Sequence, residues 1–263
     1  RWQKAWGKEA AEAILHWDQD PADTFLRHNR LRPLPELSDD LVPVDGHPGF
    51  YRVDGELPFR LIDEGFFYVQ DPSTALAPTL LAPKPGETVL DACAAPGGKA
   101  ALMADLMENS GTLVCTDSNE KRVPRLRENL DRLGISIAQT GVHDWTAPAP
   151  DKWRQHFDAI LLDVPCSNTG VLRRRVDARW RLQVDQLREL VKLQRTILAN
   201  ALPCLKPGGR IVYSTCSIDP EENAGQIESF LADHPGLELI KSHQLLPGKD
   251  GVDGAFAALL SHR

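Results

Sequence analysis

The 263-residue chain predicts an α/β fold: a doubly wound, mostly parallel sheet preceded by a small α+β module. Three observations point there. From Thr88 onward, short apolar runs alternate with amphipathic helical stretches, which is the rhythm of βαβ units. A glycine-containing turn, Asp91 to Lys99, follows the first of those runs. Before residue 86 the texture differs, with many prolines between brief apolar runs, as short strands joined by turns require.

The elements follow in order. Trp2, Trp6, Ala10, Ala13, Ile14 and Trp17 recur at three- and four-residue steps, so residues 1–19 read as one amphipathic linker helix, the remnant of a longer N-terminal region. Its stripe packs either on this chain or on sequence ahead of it. Residues 20–85 form the small module, with strands at Thr24-Phe25-Leu26 and Phe66-Phe67-Tyr68-Val69 and a helix at 73–81. Residues 86–263 form the main domain. Its strands are expected at Val89-Leu90, Leu113-Val114-Cys115, 136–142, Ile160-Leu161-Leu162, 210–214, 237–241 and 254–260. Helices are expected at 98–107, 119–133, 184–202 and 221–233, and the strand at 210 is entered through a Lys206-Pro207-Gly208-Gly209 turn.

Composition removes several classes. With 42% hydrophobic and 25% charged residues, the chain can bury a core and is not disordered. No run reaches the roughly 18 uncharged apolar residues of a membrane span, and Arg1-Trp2-Gln3-Lys4 leads into no signal-type apolar region. A cytoplasmic, monomeric protein is expected. Thirty Lys and Arg against 37 Asp and Glu give a net charge of −7, which excludes a coat of positive charge and speaks against a nucleic-acid partner, leaving only a local patch open. The five cysteines form no CxxC pair, so zinc ribbons and thioredoxin-like motifs are out and no metal is expected.

In doubly wound sheets a ligand sits at the carboxyl ends of the strands. Asp91-Ala92-Cys93-Ala94-Ala95-Pro96-Gly97-Gly98-Lys99 occupies that place, its small residues letting the backbone approach a ligand. Asp117 closes the next strand about 20 residues beyond the glycines, where an acidic residue reaches ribose hydroxyls. Neither GxGxxG nor GxxxxGK[ST] is present. An acidic residue ahead of the loop repels pyrophosphate but suits a cationic cofactor, and S-adenosyl-L-methionine carries an ammonium and a sulfonium.

Cys166, in Asp163-Val164-Pro165-Cys166-Ser167, and Cys216, in Thr215-Cys216-Ser217, each follow a strand and so open on the same face as the glycine loop. A thiol is a strong nucleophile once positive charge or a helix N-terminus lowers its pKa. Cys93, Cys115 and Cys204 lack such flanks and read as packing residues. The stretch Val171 to Arg181 sets Arg173, Arg174, Arg175, Arg179 and Arg181 against Asp177 alone and interleaves Trp180; the module adds Arg27, Arg30 and Arg32. Arginine beside an aromatic is what phosphate contact and base stacking require, although a charge run is more often a solvated face.

With these pieces together, the sequence resembles the Sun/Fmu family of RNA (cytosine-5) methyltransferases from about residue 20 to the end. The resemblance rests on Asp91 to Lys99, Asp163-Val164-Pro165-Cys166-Ser167 with Thr169-Gly170, Thr215-Cys216-Ser217 with Pro220-Glu221-Glu222-Asn223, and also Val69 to Ser73 and Asp253 to Phe256. It implies a Rossmann-like class I methyltransferase with a mixed seven-stranded sheet, an RNA-binding module ahead of it, and a further helical domain beyond that.

The resemblance also implies a cofactor pocket from Cys93, Ala94, Ala95, Pro96, Gly97, Gly98, Lys99, Asp117, Asp144 and Asp163. Cys216 would be the nucleophile, Cys166 would assist product release, and Asp163 would hydrogen-bond the base edge. The partner would be RNA, single-stranded or in a loop and ribosomal, with Arg27, Arg30, Arg173, Arg174, Arg175 and Arg179 as contacts. Ala100 replaces the threonine frequent after the motif lysine, and Ala255 replaces one aromatic of the C-terminal pattern. A same-fold enzyme acting on tRNA or protein, and a non-catalytic RNA-binding assembly factor, are the competing readings.

Overall fold

The computed structural model describes residues 1–262. Two helices open the chain, α1 (Trp2–Trp6) and α2 (Lys8–Trp17). The expected single helix is broken at Gly7, whose φ of +86° no L side chain adopts cheaply. The tryptophan stripe still packs on this chain: Trp2, Trp6 and Ala10 lie against Ile14, Ile218 and Leu246. Of the two destinations open from sequence, it takes the first.

The small module is a four-stranded antiparallel sheet of β1 (Phe25–His28), β2 (Leu41–Pro43), β3 (Phe50–Val53) and β4 (Phe67–Val69) in the order β2-β3-β1-β4, with the short helix α3 (Phe59–Asp63). Leu26, Leu41, Tyr51 and Phe67 form its core. A 3₁₀ turn at Pro72–Ala75, capped by the Asp71 carboxylate on the Ser73 N–H, leads into α4 (Leu76–Leu81). Although α4 precedes the expected boundary at residue 86, it packs on the larger sheet.

That sheet comprises β5 (Thr88–Asp91), β6 (Thr112–Asp117), β7 (Ala138–Val142), β8 (Phe157–Asp163), β9 (Leu205–Thr215), β10 (Leu237–Leu245) and β11 (Ala255–His262), in the order β10-β11-β9-β8-β5-β6-β7. β11 runs antiparallel to both of its neighbours, β10 and β9, while β9, β8, β5, β6 and β7 pair in parallel. Helices α5 (Gly98–Leu106), α6 (Val123–Arg132), α7 (Ala178–Arg181), α8 (Val184–Ala201) and α9 (Ala224–Asp233) complete the chain.

Alternation along the strands fills both faces, as a doubly covered sheet demands. Val89, Leu161 and Val212 face one core with Met103, Leu126 and Leu130; Leu90, Ile160, Leu162 and Tyr213 face the other with Ile197, Leu198 and Phe230. The expected turn at 206–209 lies within β9, as an irregularity in its pairing with β8, because Gly209 fits under the Asp158 carbonyl where a Cβ would collide. The short helix α7, carrying Arg179 and Arg181, has no separate signal in the apolar period. Strand order reverses between β5 and β8, and the carboxyl ends of those strands define where a ligand site can open.

Candidate active site

A cavity of about 440 Å³ opens at that reversal, walled by the β5–α5 loop, the ends of β8 and β9, and the small module. The loop is tied down along its length. Ala94 N–H donates to the Thr116 carbonyl (2.8 Å), Thr116 Oγ1 to the Ala92 carbonyl (2.9 Å), and Asn129 to the Pro96 carbonyl (2.8 Å). Gly97 takes φ +111°, and a Cβ at Gly98 would sit 2.9 Å from Tyr68, so the two glycines allow the turn and the close approach of the module.

The four carboxylates expected at the cofactor site fall in different environments. Asp91 was singled out for its charge; it is fully buried, lines the cavity, and neither oxygen has a hydrogen-bond partner. Burial first, and then the nearby Asp163 carboxylate, push its pKa up to about 8 against the pull of Lys99. A buried carboxylate without a donor is costly, and an arriving cation relieves that cost. The donor set therefore fits a ligand bearing ammonium or sulfonium charge.

Asp117 accepts from the N–H groups of Ala95 (3.3 Å) and Asn119 (3.0 Å) and pairs with Arg122 (3.2 Å). It thus braces the cavity wall from behind. Asp144 differs from expectation: it is exposed beyond the end of β7, held by the Thr146 N–H and hydroxyl, and lies outside the cavity lining. Those hydrogen bonds hold its pKa below the usual carboxylate range.

Asp163, ending β8, accepts from Lys99 Nζ at 2.7 Å and from Ser214 Oγ at 3.4 Å. Burial opposes the Lys99 charge, but Asp163 and the nearby Cys216 outweigh it and raise the lysine pKa. Cys93 lines the cavity, and burial with three surrounding carboxylates pushes its thiol up, so it stays protonated. Cys115 and Cys204 are buried packing residues, as expected.

Cys166 and Cys216 converge, their sulfurs 3.2 Å apart. Cys216 lines the cavity. Its thiol also reaches Asn168 Oδ1 at 3.2 Å, while Asn168 Nδ2 donates to the Cys166 carbonyl at 2.9 Å. Asn168, at φ +61°, thereby joins the two cysteine loops. The hydrogen bond to Cys216 and burial hold the Cys166 thiol well above its ordinary pKa.

Beneath the sulfurs lies a buried polar network. Glu222 accepts from the Ser167 N–H (2.9 Å), the Ser167 hydroxyl (2.5 Å) and Gln194 (2.8 Å), and Thr169 bonds Asp219 (2.8 Å). Two glycines stack the loops. Gly170 N–H donates to the Cys216 carbonyl (2.9 Å), Gly254 N–H to the Gly170 carbonyl (2.8 Å), and a Cβ at either would meet backbone below 3 Å. The motifs around residues 169–170, 220–223 and 253–254 are thus supports for the cysteines. Asn168, Gln194 and Glu222 carried no assigned role from sequence, because their partners are distant along the chain.

The six candidate RNA-contacting arginines separate. Arg27 is corrected: it is buried and ion-paired with Asp105, and donates to Gln70 at 2.7 Å. Arg173 is corrected likewise: it is buried, bonded to Asp253 at 2.8 Å and seated over the Trp17 ring. Arg179 is held by the Asp18 carbonyl at the end of α2. Arg174 bridges Asp253 and, at 2.9 Å, Asp71 of the module, and lines the cavity. Arg175 lines the cavity from an exposed position, and Arg30 is exposed on the module. A charge run shows the sign of its residues but not the buried carboxylate that claims each one.

No helix among the described residues is long and apolar enough to cross a membrane. Residues 78–261 match the family model described as 16S rRNA methyltransferase RsmB/F. The chain is 46% identical over 206 residues to ribosomal RNA small subunit methyltransferase B of Vibrio cholerae, covering 75% of this chain and 46% of the relative. It is 43% identical over 276 residues to the protein of that name from Sodalis glossinidius, covering 97% and 62%. The chain thus spans about half to two thirds of the length of these curated relatives. A solved methyltransferase homolog from Pyrococcus horikoshii superposes with a TM-score of 0.84 at 28% identity, covering 100% of this chain and 93% of that one. With the family model spanning most of the chain, and relatives above 30% identity along nearly all of it, the chain belongs to the RsmB/F family of 16S rRNA methyltransferases.

Proposed function

We propose that this chain transfers a methyl group from S-adenosyl-L-methionine to carbon 5 of a cytosine in RNA of the small ribosomal subunit, through a covalent bond to Cys216. The observation that carries the reading is the pair of sulfurs 3.2 Å apart, one of them in the wall of the cavity that also holds the unpartnered Asp91.

The cofactor, when bound, supplies an electrophilic methyl group on a sulfonium. Asp91 would meet the positive charge of the cofactor, and the Ala94 to Lys99 turn would hold it. Carbon 5 of cytosine is a weak nucleophile until a nucleophile adds to carbon 6. The Cys216 sulfur, its proton lost to water, forms a bond to carbon 6, the electrons of the 5,6 double bond move to carbon 5, and carbon 5 takes the methyl group, whose former bonding pair stays on the cofactor's sulfur. Asp163, held by Lys99, would hydrogen-bond the base edge and share a proton with ring nitrogen 3 as charge builds there. Loss of the carbon-5 proton to water re-forms the double bond as the carbon–sulfur bond breaks and its electron pair returns to Cys216.

Cys166 keeps its proton through this sequence, which makes it an S–H donor beside the Cys216 sulfur. It steadies that sulfur as a thiolate and so favours its departure from the ring. A base must leave the stack to reach this cavity, so single-stranded or loop RNA is the substrate form.

The test is incubation of the protein with small-subunit ribosomal RNA and methyl-tritiated S-adenosyl-L-methionine, followed by digestion to nucleosides. Label in 5-methylcytidine is expected. Label in another nucleoside, or RNA binding with no label, would overturn the reading.

A further inference from the structure

A second cavity, of about 550 Å³, lies on the other side of the segment Pro72–Leu81 from the active-site cavity. Ser73, Thr74 and Ala77 face the active site, whereas Pro72, Leu76 and Thr79 face the second cavity. The two sites therefore share one wall, a single helical segment thick.

The lining of the second cavity is basic and comes from both sheets. The module supplies Arg30, His28 and His47; edge strand β10 supplies Lys241 and His243. Lys241, His243 and Leu245 are alternate residues, so one face of β10 is turned to the cavity. Arg30, Lys241 and His243 are exposed. Among the described residues, no carboxylate stands within ion-pair distance of Arg30 or Lys241. The one carboxylate in the lining, Asp105, is already paired with the buried Arg27.

Arg30 and Lys241, set with three imidazoles around a single carboxylate that Arg27 already pairs, mark a site for an anion on a chain whose net charge is −7. The cavity is an open groove between the module and the larger sheet, and the segment Pro72–Leu81 is what separates it from the cavity that takes the base. A chain of phosphates matches both its charge and its place.

We infer that this groove binds the phosphodiester backbone of the RNA strand flanking the methylated nucleotide, with Arg30, His47, Lys241 and His243 as contacts. This rests on the proposed reading of the active site as an RNA site. It adds to that reading a second stretch of RNA footprint, built partly from a strand at the far edge of the methyltransferase sheet.

The test compares the wild-type chain with Lys241→Glu and with Lys241→Glu/His243→Glu. The probes are a fluorescein-labelled single-stranded RNA long enough to span both cavities, a trinucleotide that fills only the active site, and inorganic pyrophosphate. Affinity for the long RNA should fall by about tenfold or more, and the slope of log affinity against log salt should shrink by about 0.7 on loss of the Lys241 contact. Affinity for the trinucleotide should be unchanged, which also shows that the variants are folded.

An unchanged affinity and slope for the long RNA overturns the inference. So does pyrophosphate binding that Lys241→Glu abolishes while affinity for the long RNA stays unchanged, since the groove would then hold only a small anion. Absence of methylation by the wild-type chain is a separate failure, read in the tritium assay, and leaves the salt-slope comparison intact.

Discussion

Cys216 Sγ lies 3.2 Å from Cys166 Sγ, and Asn168 joins the loops that carry them. The pair is unequal. Cys216 lines the cavity, whereas burial and contact with its neighbour hold the Cys166 thiol protonated. Two cysteines in different surroundings can take different steps of one reaction.

Replacing them should separate those steps. Cys216→Ala should abolish methyl transfer while cofactor affinity stays at the wild-type value. Cys166→Ala should form the bond to cytosine but release it slowly, so that RNA stays attached to protein on a denaturing gel. Tritium incorporation and gel mobility, followed over one time course, measure both; equal behaviour of the two variants would dissolve the division of roles.

Asp91 should make cofactor binding depend on pH. Its pKa is raised from 3.8 to about 8 in the folded chain, so between those values the folded protein binds a proton that the unfolded chain has lost. Its contribution to stability is accordingly present at low pH and falls as pH rises through that range. A cationic cofactor needs the charged carboxylate, and binding then expels the proton. Affinity for S-adenosyl-L-methionine should rise by up to tenfold per unit from about pH 5 to pH 7. Calorimetric titration of Asp91→Asn should give a flat profile over that interval; parallel profiles for the two proteins would remove Asp91 from the cofactor site.

The buried Arg27–Asp105 pair should matter to folding. Arg27→Ala strands a carboxylate beside α5 and should cost roughly 3–5 kcal/mol. The double variant Arg27→Met/Asp105→Leu removes both charges and should recover most of that loss. Urea unfolding of the three proteins reads this directly. A neutral Arg27→Ala with reduced RNA affinity would instead return Arg27 to the RNA-contacting set.

Arg173 and Arg175, two residues apart, should behave oppositely. Arg173→Ala removes one of the two arginine partners of buried Asp253 and the contact with Trp17, and should lower the melting temperature by several degrees. Arg175→Ala should leave melting unchanged and weaken RNA binding, with a shallower salt dependence. Thermal melts beside salt titrations distinguish the two effects.

The parts of this molecule legible in its sequence are those written in local pattern. The period of apolar residues gave the strands of the larger sheet to within a few positions, because each strand feeds both of its cores. The spacing of Asp91, the glycines and the two cysteine loops gave the wall of the cavity, because chain direction alone brings strand ends to one face. What local pattern does not carry is the identity of a distant partner. Trp17 with Arg173 and Asp253, and Arg27 with Asp105, are joined only by folding, so buried structural arginines read like surface ones. The break at Gly7 and the irregularity at Gly209 escaped for a related reason. Each depends on a backbone conformation or a close neighbour rather than on polarity.

The most direct measurement is mass spectrometry of the complex that Cys166→Ala forms with small-subunit ribosomal RNA and S-adenosyl-L-methionine. After nuclease and protease digestion, a methylated cytidine should be found attached to the peptide containing Cys216. Attachment to any other residue, or labelled 5-methylcytidine formed at the wild-type rate with no attached nucleotide, would contradict the account.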